Sequence, residues 1–335
     1  MRPYQRRADP ELSRQFAKDA GEEDFLERLN AVLAPHEEAG YEDLEERFPT
    51  LHVVGAPRSG TTLLYQLVAS GLEVGYVNNL VAAFWRAPAT GIRLSRKLRL
   101  DAESSFDSSF GRTRGIQEPH EFGYFWNHHL RYPDLSQRPE GHEETIDWPA
   151  LRRVIVNMAD AQGAPIAFKP MLLVWHLEAM VRHMPGTCYV WIRREQRDTA
   201  LSLMKMRLGL RGSYEAWASL RPLADLDGEP PWRQVAAQVV LLERTIEDAA
   251  RRLGPDHVLP LRYERLCAEP AAALEEIRDL LGAKGHAPAL RTRDLAPFRE
   301  QRNEALEAEF GARIDEALEH YGGLAAAEAS GRAGR

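Results

Sequence analysis

The chain has 335 residues, of which 44% are hydrophobic and 28% charged, enough to bury the core of one large domain or two small ones. Its formal net charge of −7 lacks the basic surplus that a nucleic-acid-binding protein normally carries, so we expect no nucleic-acid partner. The sequence has no run of about 18 apolar residues, and we therefore expect no membrane span.

The N-terminal sequence and the cysteines indicate the compartment. Residues 1–16 lack the apolar core of a secretory signal. Cys188 and Cys267 are too few for a disulfide framework, and we expect two reduced thiols. The sequence therefore predicts a cytoplasmic protein.

The two ends of the chain differ from its centre. Residues 1–48 are predicted to form a helical extension, with apolar residues at helical spacing among acidic ones: Phe25, Leu26, Leu29 and Val32. Residues 322–335 are predicted to be a disordered tail. No linker divides the chain, so we expect a single domain over 1–335.

Short apolar strands alternate with helices in the centre of the chain. The predicted strands are 51–54, 165–168, 188–192 and 257–261, and the predicted helices are 61–70, 173–183, 197–207, 232–253 and 270–281. This alternation predicts an α/β fold, a P-loop-like three-layer sandwich with a central parallel sheet and helical insertions. Parallel strands end at one edge of the sheet, so the loops that follow them should converge there.

Residues 55–62, GAPRSGTT, follow the first strand and open the first helix. A helix N-terminus after a glycine loop offers unpaired N–H groups and the positive end of the helix dipole, which favour an anion. Two glycines, Gly55 and Gly60, permit the tight path, and three hydroxyl side chains add donors: Ser59, Thr61 and Thr62. The spacing matches a nucleoside-triphosphatase P-loop, but Thr61 stands where that motif requires lysine, and Arg58 lies inside the loop. We interpret it as a phosphate loop of another kind.

A second anion site is predicted after the strand 188–192. Arg194 stands at the end of that strand and Ser202 lies eight residues later on the next helix, where both could hold one phosphate. The alternative is that the arginines of this segment are surface residues paired with Glu195 and Asp198.

Four segments, GAPRSGTTLL, FKP, RREQRDTALS and LPLRYERLCAEP, resemble the sulfotransferase superfamily in their order, within windows 51–71, 165–207 and 257–283. The loop is more similar to bacterial, tyrosylprotein- and carbohydrate-type members than to cytosolic phenol and steroid enzymes. The second motif departs from the family at Glu195 and Gln196. The resemblance implies 3′-phosphoadenosine 5′-phosphosulfate (PAPS) as co-substrate and requires no metal.

The resemblance also implies roles for individual residues. The 5′ side of PAPS would be held by five loop residues: Arg58, Ser59, Gly60, Thr61 and Thr62. Arg194 and Ser202 would hold the 3′-phosphate. Lys169 would contact the bridging oxygen, where a cation stabilises the charge that grows on the leaving phosphate.

Sulfuryl transfer to a hydroxyl needs a general base within hydrogen-bond reach of the acceptor. Glu118, His120 and Glu121 stand at a predicted helix start with Pro119 in its first turn, and we take Glu118 and His120 as the base candidates. An acidic helix start without a catalytic role explains the same pattern. Four aromatic residues follow and could wall an acceptor pocket: Phe122, Tyr124, Phe125 and Trp126.

The sequence therefore predicts an enzyme that moves a sulfuryl group from PAPS to an acceptor hydroxyl or amine. The acceptor is a small molecule, carbohydrate, lipid or peptide. One alternative is a P-loop kinase or nucleoside triphosphatase, and another is a catalytically silent nucleotide-binding protein. We expect no metal site, because the adjacent His128 and His129 would point about 100° apart on a helix.

Overall fold

The computed structural model describes residues 19–100, 104–132, 141–291 and 295–333. Within these residues, one sheet contains five strands: β1 (Thr50–Val54), β2 (Gly75–Tyr76), β3 (Ile166–Phe168), β4 (Thr187–Arg193) and β5 (Val258–Arg262). The strand order is β2-β3-β1-β4-β5, and every pair is parallel. Because β1 lies in the middle, the loop after it has the end of β3 on one side and the end of β4 on the other.

The helices connect and cover these strands. In chain order they are α1 (Ala20–Ala39), α2 (Thr61–Gly71), α3 (Asn79–Ala82), α4 (Pro88–Lys97), α5 (Gly123–Leu130), α6 (Trp148–Gln162), α7 (Leu177–His183), α8 (Gln196–Arg211), α9 (Pro231–Leu253), α10 (Tyr263–Ala268), α11 (Pro270–Ala283) and α12 (Glu304–Ala333). Two 3₁₀ turns add His142–Thr145 and Met171–Trp175. The strands and helices predicted between residues 51 and 281 are present, with ends shifted by four residues or fewer.

The two faces of the sheet pack into separate hydrophobic cores. Along β4, Tyr189 and Trp191 face a core that includes α6 and α9, whereas Val190 and Ile192 face a core that includes α2 and α11. Alternate side chains of a strand point to opposite faces, so one strand contributes to both cores. The predicted three-layer α/β arrangement is confirmed.

Helix α1 lies within the predicted helical extension, and its apolar residues differ in burial, since Leu26 packs against the core. Phe25 and Val32 are 56% and 74% exposed, while Asn30 and Glu37 are buried. Asn30 donates to the Ala83 carbonyl at 2.8 Å, and the Glu37 carboxylate accepts from the first backbone N–H groups of α4. Polar anchors therefore fix the orientation of α1. Residues 1–18 of the extension lie outside the described residues.

Helix α12 overlaps the segment 322–335, which the sequence predicts to be a disordered tail. It continues to Ala333, and its residues Tyr321 and Ala325 are buried in a core with α9. Alanine has the highest helix propensity, and this segment is rich in it. Although α12 has 30 residues, neither it nor any other described helix is apolar enough to cross a membrane.

Candidate functional site

The carboxyl ends of four adjacent strands carry the polar side chains of the candidate site. Gly55 follows β1, Lys169 follows β3, Arg194 lies directly after β4, and Tyr263 follows β5. The strands are parallel and in register, so these four positions lie along one edge of the sheet. The predicted convergence of the loops is therefore present.

The loop between β1 and α2 is held tightly by its neighbours. A methyl group added at Gly55 would lie 2.6 Å from the carbonyl oxygen of Ile192, and one at Gly60 would lie 2.4 Å from Cδ2 of Tyr263. Gly60 also has φ 104°, a conformation that side chains other than glycine rarely adopt. Only glycine fits at these two positions, and the backbone N–H groups of the α2 N-terminus are thereby fixed in place.

Arg58 joins the loop 55–62 to the segment predicted to form a second anion site. It adopts φ 73°, which costs a non-glycine residue about 1 kcal/mol. Its Nε donates to Ser202 Oγ on α8 at 3.2 Å. Burial lowers the pKa of Arg58, and the charge of Arg194 lowers it further. Since arginine stays protonated in proteins, two guanidinium groups concentrate positive charge where an anion would be stabilised.

Arg194 is buried at the edge of this positive region. Its guanidinium lies 4.6 Å from the centre of the Tyr263 ring, donates to the carbonyl oxygen of Gln301, and lies 3.9 Å from Asp198 Oδ2. Its Nε has no hydrogen-bond partner among the described residues. The neighbouring Arg197 instead pairs with Glu307 and Asp315 of α12. Of these two arginines, only Arg194 belongs to the candidate site.

Two hydroxyl residues of the loop are buried at the start of α2. Ser59 Oγ has no hydrogen-bond partner within the described parts of the chain, and Thr61 is the first residue of α2. A buried hydroxyl without a partner costs stability unless a ligand or water completes its hydrogen bonds. The orphaned hydroxyl and the glycine path around it fit an anionic group at this helix N-terminus.

Lys169 is buried beside the loop and has two partners. Its Nζ donates to Thr62 Oγ1 at 3.0 Å and forms an ion pair with the Glu121 carboxylate. Gly111 lies over this group, because a methyl group added there would be 3.3 Å from Glu121 Oε1 and 3.9 Å from Lys169 Nζ. Lys169 thus lies beside the loop 55–62, as expected for residues at the ends of neighbouring parallel strands.

Glu118, predicted as a candidate general base, is buried and accepts three hydrogen bonds from neighbouring residues. Its carboxylate is 1% exposed, and it accepts from Gln66 Nε2 at 3.1 Å, Ser104 Oγ at 2.9 Å and the Ser105 backbone N–H at 2.7 Å. Both oxygens are therefore engaged in holding the segment 104–105 against α2. A carboxylate in this position stabilises the fold and has no open side for an acceptor.

His120 and the predicted helix start also differ from expectation. Pro119 forms an isolated bridge with Asn78, and α5 begins only at Gly123. His120 donates its backbone N–H to the Val77 carbonyl at 2.8 Å, and its Nδ1 accepts from the Phe122 N–H at 2.9 Å. The segment is thus anchored to Val77 and Asn78, which directly follow β2.

The acid that reaches Lys169 is Glu121, not Glu118. No short motif of the sequence marks Glu121, since its partner Lys169 lies 48 residues further along the chain.

The aromatic residues predicted to wall a pocket are split between core and surface. Phe122, Phe125 and Trp126 are buried, and the Phe122 and Phe125 rings stack at 4.5 Å. Tyr124 is 38% exposed and its ring lies 4.8 Å from that of Trp85. These side chains build the core beneath the segment that carries Glu121.

The paired histidines lie at the far end of α5. Burial lowers the pKa of His129 to about 3 and also lowers that of His128, so both are neutral at pH 7. Their rings meet edge to face at 5.0 Å. No group of three histidine, cysteine, aspartate or glutamate side chains in the described ranges is arranged to hold a metal ion.

Comparisons with known proteins bear on this site. The model of a family described as "Sulfotransferase family" matches residues 49–286, which include the sheet and the residues from Gly55 to Tyr263 discussed above. No curated protein matches the sequence.

Similar solved structures include three sulfotransferases. They are sulfotransferase STF9 from Mycobacterium avium (15% identity, TM-score 0.49, covering 86% of this chain and 81% of that one), sulfotransferase STF1 from Mycobacterium tuberculosis H37Rv (15% identity, TM-score 0.48, 88% and 81%), and the sulfotransferase domain from the curacin biosynthetic pathway (15% identity, TM-score 0.41, 71% and 75%).

Proposed function

This chain belongs to the sulfotransferase family. We propose that PAPS is the donor of the sulfuryl group and that the acceptor is a hydroxyl or an amine. The observation that carries the proposal is the 3.2 Å hydrogen bond from Arg58 Nε to Ser202 Oγ. It brings the glycine loop and the second anion motif together as one continuous positive site. A nucleotide with phosphates at both its 5′ and 3′ positions matches such a site.

The glycine loop supplies what the 5′ end of the donor requires. The N-terminus of α2, the guanidinium of Arg58 and the unpartnered hydroxyl of Ser59 all favour a negatively charged group there. Thr61 and Thr62 begin the helix and add hydroxyl groups beside it. These residues support the donor's phosphosulfate at this position.

Arg194 and Ser202 would bind the 3′-phosphate. Arg194 is buried and positively charged, and its unpartnered Nε has capacity for one more acceptor. The carbonyl of Gln301 accepts from Arg194 in this structure. A dianionic phosphate is a stronger acceptor than a neutral carbonyl, so it would replace that contact.

Lys169 would act on the leaving group. It is 2% exposed and lies beside Thr62 at the start of α2, where the bond between sulfur and the bridging oxygen would break. A cation fixed there before the reaction stabilises the negative charge that the leaving oxygen acquires. No metal ion is needed for that charge stabilisation.

Binding of nucleotides tests the donor. Wild type should bind adenosine 3′,5′-bisphosphate about ten- to a hundredfold more tightly than adenosine 5′-monophosphate, because a charge-assisted contact contributes about 1.5–3 kcal/mol. Arg194→Ala should remove most of that preference in titration calorimetry. Arg197→Ala is the matched control, since Arg197 pairs with α12, and it should keep the preference.

Two outcomes of the same titrations would contradict the proposal. Equal affinity of wild type for the two nucleotides, or tighter binding of magnesium-ATP, would contradict a PAPS donor. The second of these results would favour a P-loop kinase or nucleoside triphosphatase.

A further inference from the structure

We propose that Glu121 is the base that receives the acceptor's proton, and that its ion pair with Lys169 keeps it inactive until the donor binds. This inference rests on the proposed function and concerns the order of events at the same site. It follows from the contacts of Glu121, Lys169, Thr62 and Gly111, which no motif of the sequence brings together.

The ion pair spans the boundary between the buried and the open part of the site. The Lys169 side chain is 2% exposed and the Glu121 side chain is 45% exposed. Lys169 therefore faces the enclosed phosphate loop, while Glu121 presents a carboxylate to solvent. An acceptor that arrives from solvent can reach Glu121 without displacing the core.

Glu121 is distinguished from the other candidate acids of its segment. Glu118 is enclosed and accepts three hydrogen bonds, so it has no free direction for an acceptor. Glu121 lies close to Lys169, and its charge also acts on Arg58. It is thus the carboxylate that faces the cations proposed to hold the reacting end of the donor.

The reaction balances with these groups alone. The acceptor oxygen forms a bond to sulfur while the bond from sulfur to the bridging oxygen of the donor breaks. The electron pair of the broken bond stays on that oxygen, next to Lys169, and the leaving product is adenosine 3′,5′-bisphosphate. The proton of the acceptor moves to a carboxylate oxygen of Glu121, which returns it to solvent through its exposed side.

Lys169 has two competing demands. A lysine ammonium has three N–H donors, and here one goes to Thr62 and one to Glu121. While the ammonium neutralises Glu121, that carboxylate is a poor proton acceptor. The donor brings several negative charges into the loop and draws the ammonium towards the leaving oxygen. Glu121 is thereby released only when a donor is present, which implies that the donor binds before the acceptor reacts.

Gly111 lies close to the ion pair. A methyl group at this position would lie 3.3 Å from Glu121 Oε1 and 3.6 Å from Thr62 Oγ1. A side chain at position 111 would therefore crowd Glu121, and glycine leaves that carboxylate its room.

Glu121→Gln tests the base. The amide cannot take the proton, so turnover at saturating donor should fall at least about 100-fold, the lower end for a lost general base. Glu121→Asp keeps a carboxylate and should recover part of that loss. Glu118→Gln is the comparison in the same segment. It should lower the thermal midpoint and leave turnover close to that of wild type. Turnover of Glu121→Gln close to that of wild type would overturn the assignment.

A double-mutant cycle on nucleotide binding tests, independently of activity, whether the ion pair with Lys169 restrains Glu121 until the donor binds. If the donor must take Lys169 from Glu121, then Glu121→Gln should bind adenosine 3′,5′-bisphosphate more tightly than wild type, by about fivefold. The same substitution in a Lys169→Ala background should change the affinity hardly at all.

Two results would overturn the proposal that Lys169 restrains Glu121. One is unchanged affinity in Glu121→Gln. The other is the same tightening in the Lys169→Ala background, because simple repulsion between the carboxylate and the phosphate would then explain it. Wild type that fails to prefer the bisphosphate over adenosine 5′-monophosphate would instead refute the proposed donor, so the two failures are distinguishable.

Discussion

Lys169→Ala separates a chemical role from a structural one. The substitution removes an ammonium that donates to Thr62 Oγ1 and pairs with Glu121. Both partners survive its loss, since the Glu121 side chain is 45% exposed and can be solvated. The folded state should therefore lose about 1 kcal/mol, which corresponds to a thermal midpoint lower by about 2 °C.

The expected loss of activity is much larger. A fixed charge at the leaving oxygen contributes about 100- to 1000-fold in rate, or about 3–4 kcal/mol in the activation barrier. Affinity for adenosine 3′,5′-bisphosphate should change little, because removing the lysine also removes the ion pair that the nucleotide would otherwise have to open. A large loss of turnover with nearly constant affinity is expected of a group that acts in the transition state.

The assay is single-turnover sulfuryl transfer with saturating PAPS, alongside calorimetric titration and thermal unfolding. Lys205→Ala, which removes an exposed lysine from α8, is the control for loss of one positive charge and should behave as wild type. Turnover of Lys169→Ala within about threefold of wild type would refute the proposed role.

Two further substitutions test the scaffold. Gly60→Ala should abolish nucleotide binding and lower the thermal midpoint, because its methyl group would lie 2.4 Å from Cδ2 of Tyr263 and the residue has a positive φ. Nucleotide binding close to that of wild type would contradict a rigid loop. Glu118→Ala should destabilise the fold by about 3 kcal/mol in chemical denaturation, since it leaves the buried donors of Gln66 and Ser105 without an acceptor. A loss of stability below about 1 kcal/mol would show that the Glu118 carboxylate contributes little to the fold.

The geometry of the loop 55–62 was predictable because its determinants are local. Gly55, Gly60 and the hydroxyl residues lie within eight positions of one another, and their spacing specifies a turn into a helix N-terminus. Lys169 and Arg194 were predictable for a related reason, since each stands at the end of a recognisable strand. Parallel topology then brings these strand ends to one edge of the sheet.

Glu121 was not predictable in the same way. Its partner Lys169 is 48 residues away in sequence, and their contact depends on the backbone contacts of Pro119 and His120 with Asn78 and Val77, which follow β2. Strand β2 has only two residues, too few to leave a periodic pattern in the sequence. The acid beside the lysine is therefore fixed by tertiary structure rather than by a motif.

Helix α1 shows a second limit of periodicity. Phe25 and Val32 follow helical spacing and yet are exposed, because hydrogen bonds of Asn30 and Glu37 to α4 and its preceding turn orient the helix. A hydrophobic pattern predicts that a helix forms, but here polar contacts determine which face is buried.

The most direct test of the account is to follow labelled sulfur from PAPS. Purified protein is incubated with PAPS carrying radioactive sulfur and with panels of hydroxyl- and amine-bearing acceptors, without magnesium. A PAPS-dependent enzyme should produce labelled acceptor and an equal amount of adenosine 3′,5′-bisphosphate, and Lys169→Ala should produce neither. Transfer of the terminal phosphate of magnesium-ATP to an acceptor, with none of the label of PAPS transferred, would contradict it.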